Sequence, residues 1–313
     1  MKRLSIFDIK TEEQYIKHKD NIDINDVNPA GENALITNDI EKVKWLLKHG
    51  IQVNNVTSNA LHVFYLHENE PEIQNLLLEA GASLSIDIGL CPAAYIKDKE
   101  VLKLAISKGL NINYRDMSGN NSLYGNTREN CEILIEAGIN VNNINDDGEN
   151  IFFNISDETV DLFLGKIDIN HRDHNGGNPA FFSNDPVALI KMIAAGLELN
   201  VIDNNGNNCL FRLSKPEIIE IMIKNGTNIN HINNDGVNAL GTCTNENEIE
   251  LAEVLLHNGI DVSIYSEKYL QEHFCEYTKK RIMEFRKIKE EKCLLEKALV
   301  AGNKGENSLK KRI

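Results

Sequence analysis

The sequence predicts an all-α chain that repeats one helical unit along its length, a helical solenoid with β-turn fingers. Three observations predict it. A closing Asn or Ser recurs at Asn25, Asn54, Ser85, Asn113, Asn142, Asn170, Asn200, Asn230 and Ser263, at gaps of 28 to 33 residues. Spacing of this size marks stacked supersecondary units. A Gly stands four residues before most of these positions, at Gly50, Gly81, Gly109, Gly138, Gly196, Gly226 and Gly259. A second Asn stands eight residues after six of them, at Asn33, Asn121, Asn150, Asn178, Asn208 and Asn238, each preceded two residues earlier by Gly.

Each marker has a physical role. The Gly of Gly-x-Asn permits a tight turn with positive φ, and Asn is among the best helix N-caps, worth about 1 kcal/mol over Ala. Pro179 follows Asn178, and Pro suits the first helical position. The Gly before the closing Asn suits the left-handed conformation that ends a helix. Lys166 takes its place in one unit, so that helix is expected to end less sharply. Residues 200–230 contain the whole grammar: a turn at Asp203 to Gly206, a capped short helix CLF, and a second apolar helix from Pro216 to Gly226.

The ends differ. Residues 1–25 read as an N-terminal capping half-repeat, with Thr11, Glu12 and Glu13 opening a helix whose acids lie near its positive end. Residues 26–263 hold about eight repeats. Over residues 264–301, Ser266 and Glu267 begin a C-terminal helical cap, broken once, in which Tyr269, Leu270, Phe274, Tyr277, Ile282, Phe285 and Ile288 fall at helical spacings. Residues 302–313 read as a flexible basic tail.

The pattern D-x-x-G-x-N-x-L, then two helices, then G-x-x-[VIL]-N, resembles the ankyrin repeat, with Asn where that family has Thr. The closest local match is Asn59-Ala60-Leu61-His62, standing where the family carries Thr-Pro-Leu-His. The units also depart from it. Most run 20 to 22 residues from capping to closing Asn, where a full ankyrin unit allots about 25, so one helical turn is expected to be missing from the first helix. Only the units at Asn59 and Asn238 are full length. Short spacings from Asn54 to Asn59 and from Ser85 to Cys91 predict stunted fingers there, leaving the longer fingers from Asn113 onward.

Composition narrows the function. The chain has 313 residues, 42% hydrophobic, with net charge −14. From Ile264 onward 13 Lys and Arg meet 8 Asp and Glu, so the first 263 residues carry 20 basic and 39 acidic residues. That balance argues against direct nucleic-acid binding. The six cysteines have no short pairing and read as reduced core thiols. Asp8 interrupts the N-terminal apolar run too early for a signal peptide, and no run is long enough for a bilayer. A cytoplasmic monomer is expected, in its own cell or in a host cell.

Several strings suggest chemistry that the repeat explains better. His171-Arg172-Asp173 with Asn178 matches the spacing of a kinase catalytic loop, but Tyr114-Arg115-Asp116 with Asn121 has the same form and no phosphate loop accompanies either. Calcium loops aligned on Gly148 or Gly206 lack the terminal Glu. His171, His174 and Asp173 lack a further nitrogen or sulfur ligand nearby. Tyr124, Phe153, Phe181 and Phe211 each stand three residues after a capping Asn and predict an aromatic ladder in the core. No metal or cofactor is expected.

What remains is a non-enzymatic module that binds one or more partner proteins through its fingers and concave face, the usual role of the proteins it resembles. The expected contact residues are Arg115, Met117, Ile144, Asp146, Arg172, His174, Ile202, Asn204, Ile232 and Asn234. Met117, Ile144, Ile202 and Ile232 stand out because solvent-facing turns rarely need apolar residues. An alternative is an acidic inhibitor that mimics nucleic acid in the cleft of a nucleic-acid-binding enzyme. A further alternative is an effector or adaptor acting on host machinery, with the basic C-terminal helices as recruiter.

Overall fold

The computed structural model describes residues 4–55, 62–84 and 91–310, the last 13 of these as backbone only. All regular elements among the described residues are helical, and none of the described helices is long and apolar enough to cross a membrane. The chain forms two compact units, Met1–Ile167 and Asp168–Ile313. The first holds α1 (Glu12–His18), α2 (Ile40–Lys48), α3 (Val63–Leu66), α4 (Pro71–Glu79), α5 (Lys99–Ser107), α6 (Arg128–Glu136) and α7 (Asp157–Val160). The second holds α8 (Pro186–Ala194), α9 (Pro216–Lys224), α10 (Ile249–His257), α11 (Glu267–His273) and α12 (Glu276–Lys310).

Seven of the described helices share one length. Helices α2, α4, α5 and α6 in the first unit, and α8, α9 and α10 in the second, are each nine residues long. Asp39, Asp98 and Asp185 cap α2, α5 and α8 by accepting two backbone N–H groups each, and Thr127 caps α6. The C-termini are Schellman turns: in α9, Gly226 N–H donates to Ile223 O at 3.0 Å and Thr227 N–H to Met222 O at 3.1 Å. Nine residues are too few to hold a helix in water, so burial does the rest. In α9, Ile218, Ile219 and Met222 are buried, each worth about 1.5–3 kcal/mol when fully removed from water.

A single 3₁₀ turn stands ahead of several of the long helices. Such turns of three or four residues follow Asn33, Asn150, Asn178, Asn208 and Asn238. Before α10 the extra residues of the longer unit form a second 3₁₀ turn, Glu246–Glu248, with a capping box from Asn245. In the unit lacking its Gly, α7 is four residues long and the positive φ falls on Gly165 (73°), one residue ahead of Lys166. Asn59, Ala60 and Leu61, and the short spacings expected to stunt two fingers, fall wholly or partly outside the described residues.

Two series of asparagines reach backbone well along the chain, and both act on the same residue, one on its N–H and the other on its carbonyl. In the first unit, Asn25 Oδ1 accepts from Gln52 N at 2.7 Å while Asn33 Nδ2 donates to Gln52 O at 2.7 Å. Asn113 and Asn121 hold Asn140 in the same way. In the second unit, Asn170 and Asn178 hold Glu198, Asn200 and Asn208 hold Asn228, and Asn230 and Asn238 hold Asp261. The five capping asparagines are 0–2% exposed, so a lost partner there would strand a buried polar group. Asn208 makes only part of the set: it donates to Asn228 O, but its Oδ1 does not cap the turn that follows.

Of the four aromatic positions expected to line the core, two are buried and Tyr124 and Phe211 are half-buried. Phe153 and Phe181 are buried, whereas Phe211 meets the His231 ring edge-on at 6.4 Å and the Tyr124 hydroxyl donates to Glu149 O at 3.0 Å. The cysteines are free. Four are buried, and burial pushes Cys131 up to about 11 and Cys209 and Cys243 up to about 12. Cys275 is half-buried and Cys293 lies exposed on α12, so a core role does not extend to the last of them.

The helical pair α11 and α12 seals the end of the second unit. Ser266 caps α11. Leu270, Phe274 and Ile282 are buried, while Tyr277 and Ile288 face solvent. Arg286 donates to Val262 O at 2.6 Å and also to Tyr265 O. The helix continues to Lys310, through residues for which the composition predicts a loose tail; no proline interrupts it there. On the α10 side, Arg281 grips Glu253 with Nε and Nη2 at 2.5 and 2.9 Å. That hydrogen bonding, above all, holds the Glu253 carboxyl below its usual value of 4.5. A carboxylate depressed in the folded state stabilises at pH above its ordinary value and loses that contribution as pH falls through the lowered one. Glu253→Gln is therefore expected to lower the thermal midpoint at neutral pH, with the gap to the parent closing as pH falls below 4.5 and through the lowered value; a pH-independent gap would exclude this role.

Candidate interaction surface

Six described turns share one hydrogen-bond scheme. They begin at Asn28, Asp116 and Asn145 in the first unit, and at Asp173, Asp203 and Asn233 in the second. In every one the first residue's N–H donates to the carbonyl four residues on, at 2.9 Å. The Gly three residues on donates back to the first residue's carbonyl at 2.9–3.1 Å. The first side chain completes the closure. Asp203 Oδ1, for example, accepts from Asn205 N at 2.9 Å and Asn207 N at 2.8 Å, as short Asx side chains do in turns. These first residues are structural, which accounts for Asp173: it is buried and accepts from Gly177 N at 2.8 Å. Among the described residues no three His, Cys, Asp or Glu gather to hold a metal ion.

Neighbouring turns are bonded to one another. In the first unit Asp146 N donates to Ser118 O at 2.9 Å, and Asn143 Nδ2 to Gly119 O at 2.9 Å. In the second, Asn204 N donates to Asn175 O at 2.8 Å, Asn234 N to Asn205 O at 3.2 Å, and His231 Nε2 to Gly206 O at 2.6 Å. The turn glycines serve these contacts as well as the turn itself. Gly206 has φ +74°, and a Cβ there would lie 2.4 Å from Asn234 Oδ1 of the next turn.

All ten residues expected at the surface are exposed. They occupy two registers, one just before each turn's first residue and one just after it. Met117 is 79% exposed, Ile144 37%, Ile202 47% and Ile232 42%. Val27 is 46% exposed and lies in the same register as Ile144, Ile202 and Ile232; its turn carries the same Gly-x-Asn spacing, and that register is the signal that finds it. The polar residues of these registers mostly bond the next turn. Arg115 donates to Gly119 O, Ile144 O and Asp146 Oδ1 at 2.8–2.9 Å. Asn204 donates to His174 O at 3.2 Å and Asn234 to Asn204 O at 3.5 Å. Arg172 reaches Gly176 O and Ile202 O at only 3.4 and 3.3 Å.

The turn stitching predicts a difference between two glycines of positive φ. Gly206→Ala adds a clash with Asn234 to the strain of a left-handed alanine, about 1–2 kcal/mol, whereas a Cβ at Gly226 (φ +97°) meets open space. Thermal melting of the two variants should show both destabilised and Gly206→Ala the more so; equal losses would mean that the turns do not depend on close approach.

No protein-family model matches the chain, and no curated protein matches it.

Proposed function

We propose that this chain is a divergent ankyrin-type helical-repeat protein with turn fingers, and that it acts without catalysis, by binding a partner protein through the finger side. Support for the repeat reading comes from one hydrogen-bond scheme recurring in six turns and from nine-residue helices recurring in both units. The observation that carries the functional reading is what the turns present. Their buried or half-buried Asp and Asn side chains close the turns, most of their exposed polar groups bond the neighbouring turn, and isoleucine or methionine is left exposed. Aliphatic side chains left partly open to solvent at adjacent turns supply non-directional attraction of about 25 cal/mol per Å² covered.

The acidic-mimic alternative rests on the net charge of the repeat region alone. It predicts association that weakens steeply with salt, whereas an apolar interface weakens little.

Arg172→Glu together with Ile202→Asp should abolish partner capture in a pulldown while leaving circular dichroism unchanged. Capture that persists would exclude the finger surface. Capture that the double variant destroys but moderate salt also destroys would favour the mimic.

A further inference from the structure

The two units treat the same arginine differently. In the first, Arg115 precedes a turn, and the side chain one register further along the next turn is Asp146, which pairs with it at 2.9 Å. In the second, Arg172 holds the position of Arg115, but Asn204 holds the position of Asp146. Asn204 turns its amide to His174 O and brings no charge. Among the described residues no carboxylate pairs with Arg172, and its bonds to Gly176 O and Ile202 O, at 3.4 and 3.3 Å, are long for a guanidinium. Asp173 and Asp203, the nearest acids in sequence to these turns, are buried and close their own turns. In a chain of net charge −14, Arg172 is thus an exposed cation that meets carbonyls alone, where Arg115 meets an acid.

Arg172 also has defined neighbours. It donates to the carbonyl of Ile202, and the turn after Ile202 is joined by Asn234 N to Asn205 O at 3.2 Å, which sets Ile232 next in the same register. Ile202 and Ile232 are exposed at 47% and 42%. The result is a column with a cation at one end and two aliphatic side chains beyond it.

We propose that the column of Arg172, Ile202 and Ile232 receives a short acidic-aliphatic segment of a partner protein, its carboxylate on Arg172 and its aliphatic side chains on the two isoleucines. This deepens the protein-binding reading above and rests on it. A guanidinium favours a carboxylate because planar paired donors match two oxygens. The preference for an acid is the specificity element, while the isoleucines supply attraction that does not discriminate strongly among aliphatic side chains.

The test is selection from a displayed library of random peptides against the full chain, repeated with Arg172→Gln and with Asn204→Asp. The second variant installs in this unit the acid that neutralises Arg115 in the other, changes little in shape, and should occupy Arg172 internally. Wild type is expected to enrich peptides carrying Asp or Glu beside aliphatic residues. Those peptides should bind either variant about tenfold more weakly, the loss of one charge-assisted contact, with circular dichroism unchanged. Enrichment of acid-free aliphatic peptides whose binding Ile202→Asp abolishes would overturn the acidic preference and leave the finger reading standing. Acid-bearing peptides that Asn204→Asp and Arg172→Gln bind as tightly as wild type does would overturn it too. No enrichment, or binding indifferent to Ile202→Asp, would overturn both.

Discussion

A backbone residue held at both its N–H and its carbonyl, as Gln52, Asn140, Glu198, Asn228 and Asp261 are, is the constraint on which this architecture depends. The closing asparagine of one repeat accepts the N–H of a residue two positions past the next helix-ending glycine. The capping asparagine of the next turn donates to the same residue's carbonyl, as at Asn228 between Asn200 and Asn208. A side-chain amide offers an acceptor and a donor on two separate atoms of one short, uncharged group. Aspartate in the capping position would keep the acceptor and lose the donation; serine would reach less far. These asparagines thus satisfy connecting backbone that no sheet serves among the described residues.

Once the register between neighbours is set this way, helix length and turn shape follow. Glycine at positive φ ends each long helix in a Schellman turn, and the residue after it turns inward, as Ile51, Leu110, Leu197 and Ile260 do. The first helix can shrink to one 3₁₀ turn because its capping asparagine is anchored at both ends, so little further length is needed to place the buried residues after it.

Much of this was legible in the chain. Period, caps and helix ends are local chemistry, and Gly, Asn and Pro at fixed offsets report them directly. The exposed registers were legible too, because they flank the turn residues. What was not legible depends on contacts about thirty residues apart. Nothing local separates Arg115 from Arg172; the difference lies in Asp146 against Asn204, one repeat further on. Gly165 rather than Lys166 takes the positive φ because a neighbouring glycine adopts it without Cβ strain. Composition also marked the last residues as a loose tail, where the helical backbone continues to Lys310.

The double grip makes a direct prediction about amide exchange in the intact protein. Gln52, Asn140, Glu198 and Asn228 are exposed residues and Asp261 is half-exposed, yet each N–H is bonded to an asparagine oxygen at 2.7–2.8 Å. Native-state hydrogen exchange resolved by residue should find these five amides protected well beyond their surface position. Exchange at the rate of an unfolded chain at these sites would contradict the account.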